Sequence, residues 1–89
     1  MNKYLVEFLG TMFLMFVIFA TGHWAAIGAA LAIAALLGGP ISGAAYNPAV
    51  AIALMTTGKL SRSDVIPYII AEIAGALAAV QLVKMVIKR

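Results

Sequence analysis

Residues 39–57 read Gly-Pro-Ile-Ser-Gly-Ala-Ala-Tyr-Asn-Pro-Ala-Val-Ala-Ile-Ala-Leu-Met-Thr-Thr, and this stretch decides the fold. An apolar run gives way to a Gly/Pro/Ser break, after which Asn47 and Pro48 open a helix that Gly58 closes. Asn is a favoured helix cap, Pro a favoured first helical residue, and Gly a favoured residue just past the end. About ten residues at a rise of 1.5 Å reach roughly 15 Å, half of a hydrocarbon core of about 30 Å. A capped apolar helix of that length, set between longer apolar runs, is predicted to dip into the membrane and return. Its positive dipole end then sits near the midplane. Such a device passes or binds something polar.

Working outward, the rest of the chain is as apolar as this reading requires. Of 89 residues, 65% are hydrophobic and 10% charged, with a mean hydropathy of +1.11. A soluble domain of this size has nowhere to bury so much apolar surface, so an integral membrane protein is expected, as one unit too small to enclose a wide pore alone. There is no cysteine, which excludes disulfides and thiolate metal sites. The net charge of +3 comes from Lys and Arg at segment ends, and no basic stripe marks a nucleic-acid partner. A cleaved signal peptide is not expected, because Glu7 interrupts the first apolar run and further runs follow.

Three crossings are predicted, over about residues 4–20, 23–37 and 64–83, with the re-entrant loop and half-helix over about 38–57. Thr21-Gly22 separates the first two. Gly38-Gly39-Pro40-Ile41-Ser42-Gly43 is expected to end the second helix. The stretch Gly58-Lys59-Leu60-Ser61-Arg62-Ser63-Asp64 is the most polar and belongs in water. Ser61 or Ser63 caps the last span, Asp64 lies in its first turn, and Pro67 is tolerated near the helix start. Lys84, Lys88 and Arg89 end it. Three crossings put Lys3, Lys59 and Arg62 on one face and Lys84, Lys88 and Arg89 on the other. The positive-inside rule then has no bias to act on, which predicts dual topology, with copies inserted both ways round.

An isolated Asn-Pro-Ala tripeptide marks many helix starts. Here it stands in a longer order: Glu7-Phe8-Leu9-Gly10-Thr11, then Ser42-Gly43-Ala44-Ala45-Tyr46-Asn47-Pro48-Ala49-Val50, then Tyr68-Ile69-Ile70-Ala71-Glu72. Over roughly residues 4–83 this order resembles the N-terminal half of the aquaporin/glycerol-facilitator (major intrinsic protein) family. The resemblance implies a pore made of two halves related by a pseudo-twofold axis in the membrane plane, each giving one re-entrant half-helix. Asn47, Pro48 and Ala49 would form the midplane turn, with Asn47 offering amide donors to a passing oxygen. The carbonyls of Gly43, Ala44, Ala45 and Tyr46 would form an acceptor ladder. Glu7 would be buried and brace the loop.

This chain supplies one such half. Alone, it would face the Asn47 helix end and the loop carbonyls toward lipid, at several kcal/mol per unsatisfied group. The expected partner is a second copy in inverted orientation, one pore per pair, with a separate complementary half as the competing possibility. The resemblance suggests four pairs, hence an octamer. The expected solutes are water and small neutral molecules such as glycerol. Neither a cofactor nor a metal is expected.

The resemblance also locates the constriction. The second half of family members has Arg directly after Asn-Pro-Ala, whereas this chain has Val50, and register with Gly28 puts Ile27 where an aromatic or His usually stands. Two copies therefore give an apolar constriction without a fixed cation. Proton and cation exclusion then rests on opposed helix dipoles and paired Asn47 amides. His23, one turn before Ile27, is either a pore-mouth ring or an interfacial residue beside Trp24. Glu72 stands where the family usually has Gln, and is grouped with Glu7 as a loop-bracing or otherwise functional acid. Ala71, Gly75 and Ala79 form a small-residue ladder for helix packing. Phe8, Met12, Met15 and Phe19 supply lipid-facing or packing bulk.

Two other classes compete. Small dual-topology proton-coupled drug antiporters also carry a Glu followed by Gly-Thr in the first span, but they need four full spans. A membrane-disrupting or accessory peptide fits the short length. An enzyme is not expected, since one His and no Cys give no nucleophile–base pair.

Overall fold

The computed structural model describes residues 1–87, so Lys88 and Arg89, expected to end the last span, lie outside the described residues. Four helices follow one another: α1 (Lys3–Thr21), α2 (Trp24–Ser42), α3 (Pro48–Thr56) and α4 (Arg62–Val86). The protein is all-α, and α1, α2 and α4 are long and apolar enough to cross a membrane. With nine residues, α3 is roughly 14 Å long and does not span. The molecule measures 42 × 23 × 23 Å.

Each helix starts where a short polar side chain satisfies orphan N–H groups. Asn2 Oδ1 accepts from the Tyr4 and Leu5 amides at 2.7 and 3.3 Å. His23 Nδ1 accepts from Ala25 N at 3.2 Å, Asn47 Oδ1 from Ala49 N at 2.8 Å, and Ser61 Oγ from Ser63 N at 3.3 Å. Ser61, rather than Ser63, is therefore the cap of α4.

The expected stop at Leu37 is corrected: α2 runs through Gly38, Gly39 and Pro40 to Ser42. A proline ring removes one ladder bond and helps unwind a helix in water, where freed groups are hydrated. Without water to reward unwinding, the helical path persists, and neighbouring groups take up what is freed. Gly43, at φ +82°, makes the left-handed turn that ends it. The last span is also longer than expected, starting at Arg62 and ending at Val86, while α3 stops at Thr56.

In the packing, α1 lies between α2 and α4, and α3 rests on α4. Asp64 fastens α1 and α4 at their common N-terminal end, accepting from Lys3 Nζ at 2.7 Å and Tyr4 Oη at 2.6 Å. The two helices therefore run parallel, with α2 antiparallel beside α1. Further along the seam, a Cβ on Gly75 would strike the Phe8 carbonyl oxygen. Gly75 and Ala79 are buried there, while Ala71 is half-buried. The helices approach this closely because the ladder has no side chains to hold them apart.

Candidate functional site

The site is the turn between α2 and α3. Its backbone is costly on its own terms: Ala44 and Tyr46 adopt φ +51° and +54°, a left-handed conformation that costs a residue with a Cβ roughly 1–2 kcal/mol. What holds it is Glu7, fully buried on α1. One carboxylate oxygen accepts from Ser42 Oγ at 2.6 Å and from Ala45 N at 3.1 Å. The other accepts from Tyr46 N at 2.8 Å. Ser42 Oγ also receives Ala44 N at 3.2 Å. Charge-assisted bonds of this kind are about twice as strong as neutral ones.

Two tyrosines finish the brace. Tyr68, on α4, donates to the Ser42 carbonyl at 2.7 Å. Tyr46 donates to the Ala34 carbonyl on α2 at 2.8 Å. Its ring passes between α1 and α2 at Gly10 and Gly38, where any Cβ would overlap it. The inward N–H groups of the loop are thus engaged. No hydrogen bond among the described residues ends on the carbonyls of Gly43, Ala44, Ala45 or Tyr46.

The turn lies at the level of the helix middles. A cavity of about 210 Å³ is lined by Thr11 and Met15 of α1, Glu72, Ile73 and Ala76 of α4, and Tyr46, Asn47 and Pro48. From Ser42, beside Glu7, the chain therefore climbs to mid-height at Asn47 and descends as α3. Leu54 and Leu60 then pack with Tyr4 around Ala45, Ala51 and Tyr68, at the end where α1 began. Asn47 is exposed. Its Oδ1 is committed to the cap, so the Nδ2 donors face outward. Ala49 and Val50 are also exposed.

The remaining expected residues are scattered. α2 and α3 do not pack on one another, so a single chain does not bring Ile27 and Val50 together. Ile27 is half-buried and Val50 is 41% exposed. His23 lies at the opposite end, exposed, capping α2 and stacked on Trp24 with ring centroids 5.7 Å apart. Glu72 has no hydrogen-bond partner among the described residues: both its carboxylate oxygens are buried without one, as is Thr11 Oγ1. Glu7 meets the loop amides, while Glu72 is one of the residues lining the cavity beside Asn47.

Sequence reasoning missed Ser42, Tyr68 and the Gly10–Tyr46–Gly38 clasp. Ser42 and Tyr68 stand inside the quoted motifs, but nothing in a single sequence couples them across 26 positions. The Glu7/Thr11 spacing did carry a signal, since residues four apart share a helix face.

A family model described as Major intrinsic protein matches residues 22–89. The chain belongs to this family. Its members are membrane channels rather than enzymes, and this chain is accordingly an integral membrane protein with three candidate spans. It is 43% identical to Glycerol uptake facilitator protein-like 6 of Lactiplantibacillus plantarum, over 94% of this chain and 43% of that protein. It is 37% identical to Aquaporin Z of Brucella melitensis, over 89% of this chain and 41% of that one. It is 50% identical to Aquaporin AqpM of Methanothermobacter thermautotrophicus, over 65% of this chain and 25% of that protein. The chain thus spans about two fifths of the length of the first two relatives. No solved structure matches it significantly.

Proposed function

We propose that the chain is one half of a passive channel for water and small neutral solutes such as glycerol, completed by a second copy in inverted orientation. The observation that carries this reading is the mid-height Asn47 turn. The amide donors of Asn47 and the carbonyls of residues 43–46 are left without partners among the described residues. In hydrocarbon each such group costs several kcal/mol. In a pore wall they are the donors and acceptors that replace the hydration of a passing molecule. An inverted copy would cover them with the same surface and meet α3 end to end. The printed names of the relatives, a glycerol facilitator and aquaporins, point to the same solutes.

At the constriction, Ile27 of one copy and Val50 of the other supply apolar walls, and Asn47, Pro48 and Ala49 meet their counterparts at the midplane. Exclusion of cations rests on the two positive helix ends facing each other. The antiporter alternative requires four full crossings, which the nine residues of α3 do not provide. Pairs assembled four at a time would make an octamer.

The test is stopped-flow shrinkage of proteoliposomes, with a pH dye inside and glycerol or sucrose outside. Water flux well above that of empty vesicles is expected, and shrinkage no faster than theirs rejects the channel. Tags at both termini should be found on both faces of the membrane in intact cells. A single fixed side replaces the inverted copy with a different complementary chain.

A further inference from the structure

Glu7 and Glu72 meet across the seam between α1 and α4. These helices run parallel, and contacts on either side of the two acids set their register. Tyr4 meets Tyr68 edge to face, with ring centroids 5.9 Å apart, and Gly75 abuts the backbone of Phe8 and Met12. Between those contacts Glu7 falls opposite Glu72, and the two carboxyls are adjacent. Both are buried, at 0% and 1% exposure. We propose that Glu72 is a neutral carboxylic acid that donates its O–H to Glu7, so that the pair holds one proton and Glu72 acts as a positioning residue for the Asn47 turn.

Charge forbids two bare carboxylates here. Like charges side by side in a low-dielectric interior oppose each other strongly unless a cation lies between them. Among the described residues none does. Lys3 is bound to Asp64 at the start of α1, and neither α2 nor α3 contains a charged residue. Lys59 lies in the loop beyond α3. On α4, Arg62 and Lys84 stand ten or more positions from Glu72, roughly 15 Å or more along the axis. The other groups around Glu72 are Tyr46 of the loop, Tyr68 one turn earlier on α4, and the Asn47 backbone N–H. A shared proton removes the conflict with nothing brought from outside.

The donors decide which acid keeps the charge. Ser42 Oγ and the Ala45 amide donate to Glu7 Oε2, and the Tyr46 amide donates to Oε1. Hydrogen bonds received favour the ionised form, so the proton belongs on Glu72, which receives none. A carboxylate offers about four acceptor sites. Those three donors fill two sites on Oε2 and one on Oε1, which leaves one open on Oε1. As bare carboxylates neither acid can donate, and the Glu72 oxygens are orphans. One proton supplies the missing donor and satisfies both acids. The added bond fixes the Glu7 carboxylate, and through it the Ala45 and Tyr46 amides that precede Asn47. Any effect on conduction rests on the channel reading; the pair itself forms within one chain.

The experiment is infrared spectroscopy of the purified full chain in detergent at neutral pH. The chain has three acidic side chains, Glu7, Asp64 and Glu72, and Asp64 is ion-paired. A neutral-acid C=O stretch, lowered in protein prepared in D₂O, is expected in wild type and absent in Glu72→Gln. A spectrum of carboxylates alone, or a band that survives in Glu72→Gln, overturns the proposal. Positioning is read by amide hydrogen exchange. Glu72→Gln keeps a neutral donor for Glu7, so the Ala45 and Tyr46 amides should exchange as in wild type. In Glu72→Met, of similar length without a donor, they should exchange roughly tenfold faster, the size expected for one lost bond to a charged group. Equal rates in the two variants overturn the positioning role. If Glu72→Gln does not fold, Glu72→Met is read for the band and wild type is its exchange reference. Water flux is measured separately. Flux without the band sinks the pair alone, whereas the band without flux sinks the channel and leaves the pair standing.

Discussion

Two carboxylates in the membrane interior, on adjacent parallel helices, do opposite things. Glu7 on α1 gathers two backbone amides and a hydroxyl and fixes a turn whose φ angles alanine and tyrosine resist. Glu72 on α4, among the residues lining the cavity beside Asn47, gathers nothing. The lesson is that burial alone does not assign an acid a role; the donors around it do. A carboxylate with its acceptor capacity filled is part of the scaffold. One left without donors is a cost that the surrounding packing must carry.

The comparison can be broken first at Glu7. Glu7→Ala leaves two buried amides unpaired, at about 1–3 kcal/mol each, and Ser42 Oγ with only its longer bond to the Gly38 carbonyl at 3.3 Å as a donor. We expect a loss of roughly 3–5 kcal/mol, a size seen when one partner of a buried ionic network is removed. It should be read as a lowered Tm and loss of monodisperse protein in detergent; unchanged melting would strip Glu7 of its bracing role. Next comes the seam that carries both acids. Gly75→Ala drives a methyl into the Phe8 carbonyl, so α1 and α4 must separate, at about 1–3 kcal/mol. A cysteine pair placed across the seam should then cross-link more slowly than in wild type.

Tyr68→Phe is a milder change, removing the bond to the Ser42 carbonyl at about 1 kcal/mol, measurable as a lower midpoint of chemical unfolding. The smallest effect sharpens the contrast by its sign. Glu72→Gln changes an acid that receives no hydrogen bond, and should leave the stability unchanged or raise it by up to about 1 kcal/mol. Glu7→Gln, the same change at the other acid, should lower it. Equal losses at both positions would erase the distinction.

How much of this was legible beforehand varies with how local the cause is. The half-helix was readable because Asn47, Pro48 and the turn after Thr56 act on their own neighbours. Three crossings were readable for the same reason, as runs of apolar residues. The end of α2 was not: Gly38, Gly39 and Pro40 carry breaker chemistry calibrated in water, and here the surroundings favour a continued helix. Glu7 against the loop was legible through the motif order, but its three donors were not. Separating Glu7 from Glu72 needed the structure, since their difference lies in what faces each carboxylate. Ile27 and Val50 belong to elements that do not pack on one another within the chain, so their meeting depends on a partner.

Tyr46 has a consequence of its own. The residue lines the cavity beside Asn47. It also lines an apolar groove of about 450 Å³ between α1 and α2, walled by Leu9, Phe13, Ile33 and Leu37. A single residue, its ring clasped by Gly10 and Gly38, therefore borders both the groove and the cavity. Shrinking this one side chain would join two hollows that the fold otherwise keeps distinct.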